Sequence, residues 1–273
     1  MNKVLHNPLA LIGFVIIASI LFLALIAPLI APYDPDAINV KAILLSPTAN
    51  HLMGTDGLGR DVFTRMLYGS RISLMVGFVA VGIATAIGII LGAIAGFYRG
   101  WVDTVIMRVV DVMLSIPTFF LILAVIAFLT PSIWNIMIVI GLTSWMGVTR
   151  LVRAEFLSLR NREFVLAAQA LGAKDARLIF THLLPNSLTP IIVSSILGIA
   201  SAVLVESGLS FLGLGVQAPQ ASWGNILTDG KEYIQFAWWL SLFPGLAILI
   251  TVLGYNLLGD GLRDAYNPRT SQH

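Results

Sequence analysis

Charged residues in this 273-residue chain come in clusters, separated by long runs that contain none. Asp, Glu, Lys and Arg are all absent between Lys3 and Asp34, Arg71 and Arg99, Asp111 and Arg150, Arg177 and Glu206, and Glu232 and Asp260. A helix that crosses about 30 Å of hydrocarbon needs about 20 predominantly apolar residues. Each gap is long enough for one such helix. The gap from Asp111 to Arg150 is interrupted by Thr130-Pro131-Ser132, a turn-forming triplet, and so divides into two. The pattern predicts an all-α integral membrane protein with six transmembrane helices, near 9–30, 73–97, 106–129, 133–149, 188–206 and 238–258.

Composition agrees with that reading. The chain is 58% hydrophobic and 11% charged, with a mean hydropathy of +0.90, where soluble domains carry about 25% charged residues. The first apolar run is far longer than the roughly 7–15 residues of a secretory signal core, which makes it an uncleaved anchor. With no cysteine, disulfides and thiol-ligated metals are excluded.

Orientation follows from where Lys and Arg fall. With the N-terminus inside, the inner segments hold 11 (Lys3, Arg99, Arg108, Arg150, Arg153, Arg160, Arg162, Lys174, Arg177, Arg263 and Arg269). The outer segments hold 5, namely Lys41, Arg60, Arg65, Arg71 and Lys231. Both termini are therefore expected to face the cytoplasm. The chain is divided at residue 71. Residues 1–71 comprise an N-terminal tail, the first helix and an outer connection, and 72–273 a core of five helices.

The connecting segments add detail. Residues 33–71 begin with turn formers and end GTDGLGRDVFTRMLYGSR, which predicts a short amphipathic helix opening after Gly59. Ala84, Gly88, Gly92 and Gly96 put small residues at every fourth position of the second span, a face suited to close approach by another helix. Arg108 and Asp111 are three apart, so they can form an anchoring ion pair on one helix face, and Pro117 should kink that helix. The outer segment after the fifth span, ESGLSFLGLGVQAPQASWGNILTDGKEY, is too apolar for a solvated loop and suggests a re-entrant or surface-lying segment. Trp223, Trp238 and Trp239 suit the headgroup layer, and Gly259-Asp260-Gly261 should break the last span.

Reactive constellations are missing from the sequence. The four histidines are scattered, and no GxxxxGK[ST] phosphate loop occurs; GTDGLGRD has neither its spacing nor a preceding strand. An ion-coupled secondary transporter would place ionisable residues at the bilayer midplane, whereas Glu206, Arg108 and Asp111 sit near span ends. An intramembrane enzyme lacks its residues. The pattern is that of a pathway wall without a motor.

One polar stretch stands out, REFVLAAQALGAKDARLIFTHLLPN at 162–186. Glu163 to Leu171 is helix-forming, Gly172 suits a positive φ at a helix end, and Asp175 suits the first turn of a second helix. In that second helix Ala176, Ile179, Phe180 and Leu183 form an apolar face opposite Lys174, Arg177 and Thr181, and Pro185-Asn186 should end it. The residues alone leave two readings open, a hairpin that docks on a cytoplasmic partner or an amphipathic connector lying on lipid.

The stretch resembles the coupling motif of ATP-binding-cassette importer permeases, E-A-A, three residues, G, nine residues, I-x-L-P. Ala167-Ala168, Gly172 and Leu184-Pro185 match, while Leu166 and His182 depart from it as the peptide and nickel branch commonly does. GTDGLGRDVFTRMLYGSR, ESGLSFLGLGVQAPQASWG and NLLGDGLRDAYNPR resemble that branch as well, in particular its C-type permease subunit. The resemblance implies a six-helix type I importer permease in the inner membrane of a prokaryote, moving di- or oligopeptides, with nickel chelates or another small solute as the alternative cargo. It implies a homologous second permease, two ATP-binding subunits that hold ATP and Mg, an outer solute-binding protein and membrane lipid as partners, and no nucleic acid. This chain itself would be no enzyme and would hold no cofactor. Coupling to the ATPases would fall to Glu163, Ala167, Ala168, Gly172, Lys174, Asp175, Leu184 and Pro185. The binding protein would land on segments 33–71 and 207–236, at Asp56, Arg60, Asp61 and Trp223.

Overall fold

Without water in the bilayer core each backbone N–H and C=O must bond within its own segment, and the long apolar runs do so as helices. The structure is a computed structural model and describes residues 7–266, so Lys3, Arg269 and the end of the NLLGDGLRDAYNPR motif lie outside the described residues. Ten helices run in order among the described residues. They are α1 (Pro8–Ile30), α2 (Val62–Tyr98), α3 (Gly100–Ser115), α4 (Thr118–Ile126), α5 (Ile133–Leu142), α6 (Trp145–Leu159), α7 (Glu163–Ala170), α8 (Asp175–Phe211), α9 (Trp223–Lys231) and α10 (Trp239–Tyr266). α1, α2, α8, α10 and the α5–α6 unit are each long and apolar enough to cross a membrane.

Several helices outgrow their expected ends. α2 has 37 residues and opens at Val62, so the short amphipathic helix foreseen after Gly59 is the first turns of a spanning helix. The division at residue 71 falls inside it. Asp61 caps its start, its Oδ2 accepting from the Thr64 N–H at 2.8 Å. α8 also has 37 residues and runs straight through Pro185, contrary to the expected stop. A π-helical turn at Leu178–Leu183 explains this, with the Leu184 N–H bonded five residues back to the Ile179 carbonyl. A helix widened there accommodates a proline that cannot donate to the ordinary i−4 carbonyl. The wider turn also shifts which side chains face inward: Leu178 and Leu183 are buried, while Ala176 and Phe180, expected on the apolar face, are exposed.

The predicted span 106–129 is a broken element, bent where Pro117 was expected to kink it. α3 and α4 meet at Ile116-Pro117 with a bend of 82°, and α4 has 9 residues, too few at about 1.5 Å each to cross the bilayer alone. Pro117 forces the break because the residue before proline is driven out of the helical region, and Ile116 is extended with ψ 123°. The expected Arg108–Asp111 pair does not form. Asp111 pairs with Arg150 of α6, and the Asp103 carboxylate takes both Nε and Nη2 of Arg153, so α3 is fastened to another helix by charge.

Close helix crossings set the packing of the bundle. The stripe Ala84, Gly88, Gly92 and Gly96 is buried and faces α6. A Cβ built on Gly88 would stand 2.5 Å from the Val148 Cβ, one on Gly92 2.6 Å from the Thr149 carbonyl oxygen, and one on Gly96 2.7 Å from the Phe156 Cβ. Gly259 and Gly261 do not break the last span, since α10 continues to Tyr266. They lie against neighbouring helices: a Cβ built on Gly261 would stand 2.5 Å from the Ala10 nitrogen of α1, and one on Gly259 would meet Leu197 of α8.

Because a Cβ at Gly92 meets backbone that cannot move aside, Gly92→Val should prevent the α2–α6 contact and cost about 3 kcal/mol or more, at or beyond the upper end of overpacking. Gly82 has open space on the same helix, so Gly82→Ala should leave stability unchanged or slightly raised. Thermal unfolding of the two variants in detergent checks the contrast.

Candidate functional site

At one end of the bundle α7 and the start of α8 form the hairpin. Its root is apolar and buried: Val165, Leu178 and Leu183 pack with Phe97 of α2 and with Val152 and Phe156 of α6. Arg160 strengthens this root by donating to the Phe97 carbonyl, and its guanidinium lies 5.4 Å from the Phe97 ring centroid. The turn between the helices needs Gly172, whose φ of +79° strains any residue with a Cβ. Gly172 closes α7 with its N–H bonded to the Gln169 carbonyl, and the Ala173 N–H reaches the Ala168 carbonyl. Around the turn the hairpin exposes large apolar side chains, with Leu171 89% and Phe180 68% accessible and Leu166 half exposed. Glu163, Ala167, Lys174, Asp175 and Pro185 are exposed on the same hairpin, and Ala168 and Leu184 are partly buried.

The opposite end is built around charges. Asp56 Oδ1 accepts the Leu58 and Arg60 N–H groups, both at 2.9 Å, and Oδ2 pairs with Arg60 Nε at 2.7 Å. Arg65, fully buried on the first turn of α2, approaches the same carboxylate oxygen at 3.5 Å. Both arginines reach Asp229 of α9, at 3.2 and 3.7 Å. Partial burial pushes the Asp229 carboxyl above its ordinary range, opposed by the positive charge of Arg65 and Arg60. Asp61 holds His51 at 2.8 Å, and the His51 ring stacks on Tyr33. Gly59, with φ +74°, turns the loop so tightly that a Cβ would overlap the Asn39 carbonyl oxygen.

The structure places the expected landing residues inside the protein. Asp56, Arg60, Asp61 and Trp223 are all buried, with Trp223 2% accessible, so they build the loop and offer no free surface. Trp223 and Trp239 are core residues, not headgroup anchors. Trp223 Nε1 donates to the Met66 carbonyl at 3.2 Å and Trp239 Nε1 to the Thr55 carbonyl at 3.0 Å. The segment after α8 folds back, and α9 is tied to the bundle by Glu206. This fully buried carboxylate accepts Ser210 Oγ at 2.7 Å and Ser222 Oγ at 2.9 Å through Oε1. Ser222 is the N-cap of α9, and the Trp223 N–H goes to Ser73 Oγ of α2 at 3.2 Å. Glu206 thus joins α8 to α9, with α2 one hydrogen bond away.

Between these ends α2, α5–α6 and α8 enclose a groove of about 230 Å³. Its walls include Thr85, Ser144, Ser194, Ser195 and Ser201, with no charged side chain. Thr85 and Ser195 share a hydrogen bond at 3.0 Å, whereas among the described residues the Ser144 and Ser194 hydroxyls have no partner in the chain. The Asp111–Arg150 and Asp103–Arg153 pairs lie one to three turns further along α6, toward the hairpin. Sequence reasoning missed this groove and the buried roles of Arg65, Asp229 and Glu206. Serines at 194, 195 and 201 in an otherwise apolar run were the available signal for the groove; nothing local marked the other three as partners.

Residues 88–272 match the family described as binding-protein-dependent transport system inner membrane component. The chain belongs to that family. Residues 2–47 also match the N-terminal TM domain of oligopeptide transport permease C. The chain is 48% identical to the dipeptide transport system permease protein DppC of Alkalihalophilus pseudofirmus, over 96% of this chain and 86% of that protein. It is 44% identical to the probable D,D-dipeptide transport system permease protein DdpC of Escherichia coli, over 96% and 88% of the two chains. With the oligopeptide transport system permease protein OppC of Bacillus subtilis it shares 40% identity, over 96% and 86%. Among solved structures it resembles the inward-facing MetNI methionine ABC transporter, with a TM-score of 0.61 and 17% identity over 73% of this chain and 95% of that one, a likeness of fold. The chain is thus a multi-pass inner-membrane permease of an ABC importer, and an importer of this kind works with an ATPase and a solute-binding protein.

Removing the Asp56 carboxylate should disorganise the permease's charged loop, because two buried guanidiniums and two N–H groups lose their acceptor together. Asp56→Ala is expected to cost about 3–5 kcal/mol, the range for breaking a buried ion pair from one side. Hydrogen exchange across 39–61 should rise sharply in the variant while exchange in the α2–α6 contact stays slow.

Proposed function

We propose that this permease moves di- and oligopeptides inward across the cytoplasmic membrane as one half of a transmembrane pathway. It pairs with a homologous second permease and with two ATP-binding subunits, and those subunits, not this chain, hold ATP and Mg. The supporting observation is the hairpin at 162–186, whose root is buried in the bundle while Leu166, Leu171 and Phe180 stand exposed around its turn. Exposed apolar clusters of that kind mark protein or membrane contact sites, and membership of a binding-protein-dependent transport family favours a protein partner here. Glu163, Ala167, Ala168, Gly172, Lys174, Asp175, Leu184 and Pro185 form or flank the surface an ATPase would grip. The excess of Lys and Arg on this side of the sequence supports a cytoplasmic position for the hairpin and for both termini.

Movement of the hairpin has a direct route outward. α8 is continuous for 37 residues from Asp175 at the hairpin to Phe211, about 55 Å at 1.5 Å per residue. Near its far end Glu206 ties it to α9, beside the loop where a binding protein would dock on exposed residues such as Leu58. ATP binding in the partners shifts the hairpin, α8 carries the shift, and the groove alternates between outward and inward access. Peptide is the favoured cargo because the relatives above carry dipeptide and oligopeptide names.

Gly172→Val tests the coupling assignment. The variant should insert and assemble normally, because a Cβ at Gly172 meets no neighbouring atom, yet the turn cannot keep its positive φ. Peptide uptake and binding-protein-stimulated ATP hydrolysis in proteoliposomes should both fall to near background. Normal uptake by a correctly inserted variant would remove the docking role.

A further inference from the structure

A second cavity, of about 420 Å³, lies at the outer end, between the loop at Asp36, the first turns of α2 and the segment leading into α9. Its size falls within the roughly 300–1,000 Å³ of small-ligand sites. Asp36, Arg71, Tyr68 and Gln220 line it together with apolar Ile72 and Met75. Asp36 and Arg71 are exposed and are not within 4.0 Å of each other, so they form no ion pair, and the Tyr68 hydroxyl has no hydrogen-bond partner among the described residues. This sets them apart from the neighbouring charges, since Asp56, Arg60 and Asp229 all satisfy one another. Asp36 also lends its field to the buried Arg65, but opposite charges presented to one cavity and not paired with each other suit a ligand that carries both signs.

We propose that this pocket receives the zwitterionic ends of a short peptide as it leaves the binding protein, Asp36 facing the α-ammonium group and Arg71 the α-carboxylate. The proposal rests on the peptide reading above and deepens it. An extended dipeptide spans at most about 7 Å, short enough for both ends to lie in one cavity of this size. Guanidinium and carboxylate make strong charge-assisted contacts with such groups, while Ile72 and Met75 accept side chains without selecting among them. The pocket ends at Met75, and the uncharged groove begins at Ala80 of the same helix, about 7.5 Å further along at 1.5 Å per residue. The ligand's charges are therefore engaged at the mouth and released into a groove whose walls are apolar with hydroxyls and no charge, so the peptide is positioned without being trapped.

The test uses the complete transporter in proteoliposomes, with p-benzoylphenylalanine in place of Ile72 and radiolabelled alanyl-phenylalanine as the probe. Illumination during ATP turnover should attach the probe to this chain, and excess unlabelled alanyl-phenylalanine should prevent it. Adding Arg71→Gln or Asp36→Asn should each reduce labelling about tenfold, the loss of one charge-assisted contact. Arg71→Lys, which keeps the charge, should retain more label than Arg71→Gln. Capture of the solute-binding protein in place of the probe would reassign the pocket to docking, and equal labelling in both charge variants would overturn the proposal as well. Uptake of the same probe by the unsubstituted transporter separates the two readings. Uptake without labelling removes the pocket alone; no uptake of dipeptide removes the peptide reading and the pocket's ligand with it.

Discussion

Close approach between α2 and α6 holds the bundle in its register. Lipid tails are as apolar as leucine, so no hydrophobic force drives two helices together within the bilayer, and van der Waals contact must supply the attraction. Gly88, Gly92 and Gly96 let α6 approach until its own backbone touches the α2 stripe. The rest of the hairpin end depends on that contact. Phe97 and Phe156, one from each helix, form the floor on which Val165, Leu178 and Leu183 sit. This contact roots the hairpin, and the coupling proposed for it requires a rigid root.

The continuity of α8 matters for the same reason. Had Pro185 ended the helix, hairpin and span would have been joined by a flexible link that absorbs motion. The π-helical turn at Leu178–Leu183 removes the conflict with proline and leaves one rod from Asp175 to Phe211. At its other end the rod is held by a buried carboxylate, where Glu206 accepts from Ser222 at the very start of α9. Mechanical linkage between two faces of a membrane requires stiff elements with fixed ends, and both ends of α8 are fixed by specific contacts.

Much of this was legible in the sequence, and what was not has physical causes. Charge-free runs located the spanning helices because crossing hydrocarbon is an average property of about 20 residues. The positive φ of Gly172 and the packing stripe on α2 were readable because each rests on a local rule of spacing or conformation. Ends were harder. Pro185 and Gly261 carry stop signals in isolation, yet the π turn overrides one and contact with Ala10 explains the other. Partnerships were hardest, because Asp111 chooses Arg150, 39 residues away, over Arg108 three residues away. The charged outer loop misled for the same reason. Asp56 and Arg60 looked like surface because they are charged, whereas they pair with each other inside the loop, and Trp223 is buried with its Nε1 on the Met66 carbonyl.

The distribution of charge separates recognition from passage. A charged group facing a membrane pathway binds a zwitterion strongly, and a site that binds too well does not release. The groove avoids this with apolar walls whose polar side chains are all hydroxyls, two of which, Ser144 and Ser194, have no partner among the described residues. Charges are instead kept at the ends. Near the hairpin the Asp103–Arg153 and Asp111–Arg150 pairs consume their own charge in holding α3 to α6. At the outer end Asp56, Arg60, Arg65 and Asp229 do the same for the loop. Asp36 and Arg71, the charged side chains that line the outer pocket, are not paired with each other. A permease built this way can pass peptides of many sequences, because what it contacts by charge is the feature they all share, their two ends.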